Sequence, residues 1–322
     1  MIPEQFYKAF EDRCRGPQAD VQARQSAYLP LLEMLKDIGI VSALDIGCGR
    51  GEWLTLLRNQ EFSANGVDLD ATMVRTCIEK GFAVTQQDAV EALNQRADES
   101  EALITGFHIA EHLPFEALFA LVNASLRVLK PGGVLLLETP NPENISVGTS
   151  SFYMDPTHRK PLPPGLLQFI CEYSGFAPVK IIRLHERQEV LEKEDPTLMD
   201  VFWESSPDYA VVAQKPGNEP AAIKFKTLFG AEQGLSLERL TSRYDLGNFN
   251  RSQHTLNVVE QAHLLANQGN NMAQEALNFA HQAKNEAAEA LALSKAIYNN
   301  RLNRTLRSAG RFLRTVKSLW AR

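Results

Sequence analysis

Apolar positions change spacing several times along the chain, and the changes mark out alternating helices and strands. Phe6, Tyr7 and Phe10, then Tyr28, Leu31, Leu32 and Leu35, recur at helical intervals, so residues 3–38 are expected to be helical with a break at residues 13–17. An apolar run then ends at Asp45, glycines follow at alternate positions, and Leu54, Leu56 and Leu57 open a helix. Residues 64–70, 82–88 and 102–107 are the second, third and fourth strands, each leading into a polar turn. Phe115, Leu118, Leu121, Val122 and Leu126 return to helical spacing, and Lys130-Pro-Gly-Gly133 is a turn. Residues 134–138 form a short apolar run ending in Glu138, which suits a strand buried on both faces of a parallel sheet. Residues 139–159 are too polar and proline-rich for a strand and too long for a plain connection, so they are expected to be a functional loop. A helix at 166–173 ends at Gly175, and residues 179–184 and 209–214 form an antiparallel last pair of strands. The α/β unit is expected to close near Lys215.

Beyond it the pattern is different. From Val259 the seam Ala262, Ala266, Gly269, Ala273, Ala276, Ala280, Ala283, Ala287, Ala290, Ser294 and Ile297 keeps a strict 3-4 spacing, with larger residues such as Leu265, Met272 and Phe279 flanking it. Such a seam supports a coiled coil and a homo-oligomer, and small residues let the helices approach closely. In the last segment Leu302, Leu306, Ala309, Leu313, Val316 and Trp320 share one helical face. The domain division expected is therefore 1–216 for the α/β domain with its N-terminal helices, 217–253 for a linker, 254–300 for an Ala-rich helix, and 301–322 for a basic amphipathic helix.

Charge sharpens the contrast. The 322 residues include 33 basic and 39 acidic side chains. Seven of the basic ones lie in residues 301–322, which hold no acid, so residues 1–300 carry 26 basic against 39 acidic, a net of −13. An acidic body argues against nucleic acid as its partner. A basic helix with an apolar face that includes Trp320 fits the headgroup region of an anionic membrane. No apolar run approaches the ~18 residues needed to span a bilayer. The N-terminus lacks a basic-then-apolar leader, and Cys14, Cys48, Cys77 and Cys171 have no metal-like spacing. A cytoplasmic protein peripheral to the inner membrane is expected.

The chemistry gathers where the strands end. In Asp45-x-Gly47-x-Gly49-x-Gly51 the third glycine comes one residue too early for a dinucleotide turn. A carboxylate beside the turn suits a ligand bearing an ammonium group and repels one bearing phosphates. Asp68 follows about 20 residues on, where an acid can accept from two ribose hydroxyls. Asp88 stands after the third strand, where it can also cap the next helix. With Glu111-His112 and Lys130-Pro-Gly-Gly133, this ordered set, over about residues 40–215, resembles the class I S-adenosylmethionine (SAM) methyltransferases.

That resemblance implies a Rossmann-like sheet of seven strands, mostly parallel with the last strand antiparallel, followed by the helical tail. It implies SAM as cofactor, bound by Asp45, Gly47, Gly49, Gly51, Asp68, Leu69, Asp88, Ala89 and Phe107, with Met73 available to the adenine. A narrower likeness rests on residues 6–16, on Phe107-His-Ile-Ala-Glu-His-Leu-Pro-Phe115 and on Asp155-Pro-Thr-His-Arg159. These look like the methyltransferase domain of bacterial O-antigen chain-terminating enzymes, which cap a lipopolysaccharide glycan and carry a coiled coil and a membrane-binding C-terminus. Some of those enzymes add a kinase domain and methylate its phosphate; no His-Arg-Asp or Asp-Phe-Gly motif follows here.

A hydroxyl acceptor needs a general base, for which His112 and His158 are the candidates; a phosphate needs only cations to place it. Arg13, Arg15 and Arg159 would suit an anionic acceptor, Arg24 is a further cation, and Glu111 and Asp155 are expected at the acceptor side. Glu111-His112 also resembles metal-binding pairs of some O-methyltransferases, but no metal is expected. The reading is a SAM-dependent O-methyltransferase for a cell-surface glycan or its lipid-linked precursor, with a glycosyltransferase as possible partner. The alternatives are a methyltransferase for a small or lipid-like metabolite and a catalytically idle scaffold for glycosyltransferases.

Overall fold

The computed structural model describes residues 16–39 and 41–320, without the side chains of 319 and 320. Helix α1 (Gln18–Gln25) leads through one 3-10 turn into α2 (Leu29–Asp37). Strands and helices then alternate: β1 (Ser42–Ile46), α3 (Glu52–Asn59), β2 (Ser63–Asp68), α4 (Ala71–Glu79), β3 (Ala83–Gln86), α5 (Ala89–Asn94), β4 (Glu101–Phe107), α6 (Phe115–Val128) and β5 (Leu129–Pro140). After them come α7 (Ile145–Thr149), α8 (Pro164–Ser174), β6 (Val179–Leu184), α9 (Gln188–Leu191), α10 (Leu198–Trp203), β7 (Asp208–Gln214), α11 (Glu219–Leu228) and α12 (Leu237–Trp320).

The seven strands form one sheet in the order β3-β2-β1-β4-β5-β7-β6. All neighbours are parallel except β7, which runs against both β5 and β6. Alternate residues of the central strands feed two apolar layers. Leu44, Ile46, Ile104, Leu135 and Leu137 pack with α6 and α8 on one face. Ala43, Leu103, Val134 and Leu136 pack with α2, α3, Phe225 and Phe229 on the other. The chain order reverses between β1 and β4, and the carboxyl ends of strands at such a point open a crevice.

Three differences from the expected layout have local causes. Lys130–Gly133 is no separate turn: β5 starts at Leu129, and the glycines are absorbed as an irregularity in its pairing with β4. Residues 217–253 are not a free linker. Phe225 on α11 and Phe229 just past its end are four residues apart and buried in the second apolar layer, and Leu235 and Leu240 are buried further on. The methyl-rich pattern there is too sparse to show as periodicity, yet the compact unit extends to Asn248. Finally, α12 is one helix of 84 residues with no break at 300; Gly269 and Gly310 are both inside it. From Phe249 onward it forms the second unit, on which Leu256, Val259, Leu265, Met272 and Phe279 are exposed. No helix among the described residues is long and apolar enough to cross a membrane.

The packing of α11 has a direct test. Phe225→Ala should lower the unfolding free energy by about 3–5 kcal/mol in urea titrations, the cost of emptying a buried aromatic site. A residue in a solvated linker would change it by less than about 0.5 kcal/mol.

Candidate active site

Two adjoining cavities occupy the carboxyl edge of the sheet. The smaller, about 310 Å³, lies over the ends of β2 and β3 and is lined by Asp68, Leu69, Met73, Asp88 and Ala89. The larger, about 540 Å³, reaches from Asp45 and Trp53 to α1 and to the loop after β5. Gly47, Gly49, Phe107, His108 and His112 line both, so these residues mark the junction.

The glycine turn is held by its own neighbours. Gly47 and Gly49 take φ of +69° and +49°, where a side chain is strained, and the Gly47 and Cys48 amides donate to Val67 O at 2.8 and 3.0 Å. Asp68 is pinned by two backbone donors, Gly49 N to Oδ2 and Asp70 N to Oδ1, both at 2.8 Å. Each carboxylate oxygen keeps a second lone pair for a ligand hydroxyl. Asp88 Oδ1 caps α5, accepting from Val90 N and Glu91 N, so the cap uses one oxygen and the residue still lines the cavity. Gly51 takes part in the turn without lining either cavity; a Cβ there would come 3.0 Å from Cys77 Sγ.

Asp45 is 2 % exposed and accepts from Thr105 Oγ1 at 2.7 Å. Burial pushes its carboxyl up to about 8, against the Thr105 hydrogen bond and with help from the Asp68 charge. On the same cavity, the buried atoms Gln25 Oε1 and Trp53 Nε1 have no hydrogen-bond partner within the described protein. Buried polar groups are rarely left so. A ligand bringing an ammonium donor and a carboxylate acceptor answers all three, which is the character of the amino-acid end of SAM.

The floor of the larger cavity was not foreseen from sequence. Glu138 ends β5 and accepts from the Tyr28 hydroxyl, from His185 Nε2 at 3.2 Å, and faces His108 Nε2 at 3.5 Å. Burial opposes its charge, but His108 and His185 outweigh burial and hold the carboxyl far below its usual range. His108 Nδ1 in turn lies 3.3 Å from Glu111 Oε1. Burial works against its charge too, yet the two carboxylates raise it to about 10. Asp208, at the start of β7, is raised by burial, although the His108 charge opposes this. The only hint in the sequence was an acid closing an otherwise apolar strand.

The acceptor side is built by the loop after β5 docking on the turn after β4. His112 Nδ1 lies 3.0 Å from Thr157 Oγ1, and its ring stands edge-on to that of His158 with centroids 4.7 Å apart. Burial lowers His112 below its usual value. His158 Nδ1 is 2.6 Å from Phe152 O, leaving Nε2 4.0 Å from Glu111 Oε1 and 3.8 Å from Asp155 Oδ2. Asp155 lines the cavity as expected.

Two expected acceptor contacts turn out otherwise. Glu111 is 1 % exposed and accepts from Thr139 Oγ1 at 2.9 Å, so it sits beneath the histidines and does not line the cavity. Arg159 is exposed, and it holds backbone: its amide donates to Glu111 O at 2.9 Å and its Nε to His112 O at 3.1 Å. Arg13 and Arg15 lie outside the described residues, while Arg24 lines the larger cavity. Donor atoms of Glu111, His112 and His158, and of His108, Glu138 and Asp208, lie within 4.8 Å of one another, close enough to surround a metal ion. Several of these atoms already serve one another as hydrogen-bond or charge partners.

The chain is similar to known proteins. A family described as "Methyltransferase domain" matches residues 18–181. A SAM dependent methyltransferase from Archaeoglobus fulgidus is 32% identical, with a TM-score of 0.59 over 65% of this chain and 100% of that one. The chain belongs to the SAM-dependent methyltransferase family. Its cofactor is SAM. A probable S-adenosylmethionine-dependent methyltransferase of Mycolicibacterium smegmatis is 31% identical over 133 residues, 41% of this chain and 51% of that protein. A ubiquinone biosynthesis O-methyltransferase of Xanthomonas oryzae pv. oryzae is 28% identical over 131 residues, 39% of this chain and 54% of that protein. The methyltransferase thus spans about half the length of these curated relatives.

Two binding measurements check the cofactor half of the methyltransferase. Asp68→Ala should weaken SAM binding by about 1.5–3 kcal/mol in calorimetry, the worth of hydrogen bonds to a charged group. Asp45 is protonated below about 8 in the free protein. An ammonium beside it favours the carboxylate, so SAM binding should release a proton near pH 7 and tighten as pH rises toward 8. Binding heats compared across buffers of different ionisation enthalpy should show that proton, and Asp45→Asn should abolish it.

Proposed function

We propose that this methyltransferase methylates a neutral hydroxyl of a glycan, or of its lipid-linked precursor, with His112 as general base. The observation that carries the reading is the lining of the larger cavity. Among the described residues it presents five carboxyl groups, Asp45, Glu52, Glu138, Asp155 and Asp208, against two cations, Arg24 and the charged His108. A phosphate entering that cavity would meet mostly acids, whereas a hydroxyl group finds both acceptors and a neutral imidazole. His112 is preferred to His158 because it also borders the cavity that holds Asp68 and Asp88.

When bound, SAM supplies an electrophilic methyl group. The protein's own share is to align the acceptor and take its proton. Burial keeps His112 neutral, so its nitrogen can accept that proton at neutral pH. Phe107 at the junction and Trp53 in the larger cavity, with rings 5.0 Å apart, give the site an apolar wall that restricts water.

An amphiphilic acceptor is favoured by the rim. Met154 lines the cavity and is 61 % exposed, next to exposed Tyr153. A lipid-linked glycan would place its polar end inside. A lipid-like metabolite is the second reading with the same support, and ubiquinone biosynthesis appears in the names of relatives. The intact constellation of Asp45, Asp68 and His112 speaks against an idle scaffold. Residues 301–322 are proposed to hold the protein on the anionic inner membrane face, and residues 259–297 to assemble it into a homo-oligomer; a glycosyltransferase is the partner that O-antigen capping would call for. Mass spectrometry of surface glycans from a deletion strain tests the substrate class: an unchanged methylation pattern excludes the glycan reading.

His112→Ala should lower turnover by about 100-fold or more while SAM affinity stays near normal. Because burial lowers the His112 pKa, the neutral, active form persists below the pH at which an ordinary histidine charges. Turnover should therefore be flat through neutral pH and fall only on acidification. Replacing Leu306 and Leu313 with Glu should release the full chain from anionic vesicles in sedimentation assays, although most of the basic charge remains. High salt should weaken attachment as well, since screening acts over roughly 10 Å at 0.1 M.

A further inference from the structure

We propose that Thr157 is a positioning residue: together with Asp155 it fixes the His112 ring with its proton on Nδ1, which reserves Nε2 for the proton of the acceptor. The inference rests on His112 being the base, as proposed above, and adds how that base is made competent.

The hydroxyl of Thr157 has one proton to give and two close neighbours. Oγ1 is 2.6 Å from Asp155 Oδ1 and 3.0 Å from His112 Nδ1. A carboxylate can only accept, and at 2.6 Å two oxygens with no proton between them repel. The Thr157 proton therefore goes to Asp155. His112 Nδ1 must then carry a proton and donate it to a lone pair of the same hydroxyl. The opposite assignment would strand the short oxygen–oxygen contact. Thr157 N also donates to Asp155 Oδ1 at 2.8 Å, so the carboxylate is tied to both donors of Thr157 and cannot swing away without losing both.

The loop that carries this pair is fastened to the turn that carries His112. Arg159 N donates to Glu111 O, and Arg159 Nε donates to His112 O. His158, edge-on to His112, is oriented by the same logic: Phe152 O can only accept, so His158 Nδ1 holds a proton. Both rings thus turn Nδ1 to the protein. The charged and titratable groups around His112 are Glu111 on its own turn and His158 and Asp155 on the loop. Among the described contacts, Thr157 alone hydrogen-bonds to the His112 ring, through its hydroxyl at 3.0 Å and through its backbone, which also favours a protonated ring nitrogen. A neutral histidine with no such partner is free to shift its proton between nitrogens, and the wrong tautomer disables a base whose position is unchanged.

Nitrogen-15 NMR of the full chain labelled at its seven histidines reads the tautomer directly, with His112→Gln used to assign the His112 signals. At neutral pH the wild type should show protonated Nδ1 and unprotonated Nε2 for His112. Thr157→Val should lose that signature, and Thr157→Ser should restore it, with SAM affinity of both variants within about twofold of wild type as evidence of folding. Asp155→Ala should invert the signature, because the Thr157 hydroxyl is then free to donate to Nδ1. Protonated Nε2 in the wild type, or an unchanged spectrum in Thr157→Val, overturns the proposal. A spectrum that matches it while His112→Ala keeps wild-type turnover upholds the positioning and instead removes His112 from the role of base.

Discussion

The site depends on one buried carboxylate. Glu138 sits at the carboxyl end of β5, 5 % exposed, in a strand otherwise chosen for the apolar core. Its charge is kept in place by the hydroxyl of Tyr28, before α2, and by histidines at the exits of β4 and β6. Three separate parts of the chain meet on it. Both histidines reach it from left-handed backbone, with φ of +53° at His108 and +68° at His185. Such conformations persist only where the surroundings hold them. Removing one partner of a buried charge pair typically costs about 3–5 kcal/mol. The acid that looks misplaced in an apolar strand is therefore the reason the cavity floor has a defined shape.

That floor also separates two histidines four residues apart. His108 lies between Glu111 and Glu138 and is held charged. His112 has hydroxyl and aromatic neighbours and is held neutral. Identical side chains on one turn acquire opposite protonation states because both His108 ring nitrogens lie within 3.5 Å of a carboxylate, whereas at His112 burial outweighs Glu111 and Asp155. Glu111, which resembled a ligand-binding acid, belongs to this division of charge.

The cofactor half was readable because its determinants are local. Asp45 and its glycines stand at one strand end, and Asp68 and Asp88 stand at the next two, so residue type and spacing carry the information. The acceptor half was not, because its contacts are distant in sequence. Tyr28 and Glu138 are 110 residues apart, and His112 and Thr157 are 45 apart. A charge also does not state its direction. Arg159 could have faced an anionic acceptor, yet its guanidinium holds a backbone carbonyl. The stretch 217–248 failed as a linker for a third reason: four well-spaced apolar residues, Phe225, Phe229, Leu235 and Leu240, are enough to dock it without producing a visible period.

The aromatic cluster at the junction has an optical consequence. Trp53 is almost wholly buried beside the glycine turn, with its ring 5.9 Å from Tyr28 and 5.0 Å from Phe107. Trp203 is 56 % exposed on α10, and the third tryptophan, Trp320, stands at the far end of α12. Among the described side chains, Trp53 alone of the indoles borders the cleft, with an unpartnered N–H and a tyrosine 5.9 Å away, while Trp203 is open to solvent. Trp53 is an intrinsic fluorophore set in the wall of the cofactor chamber, so filling of that chamber can be followed without a label.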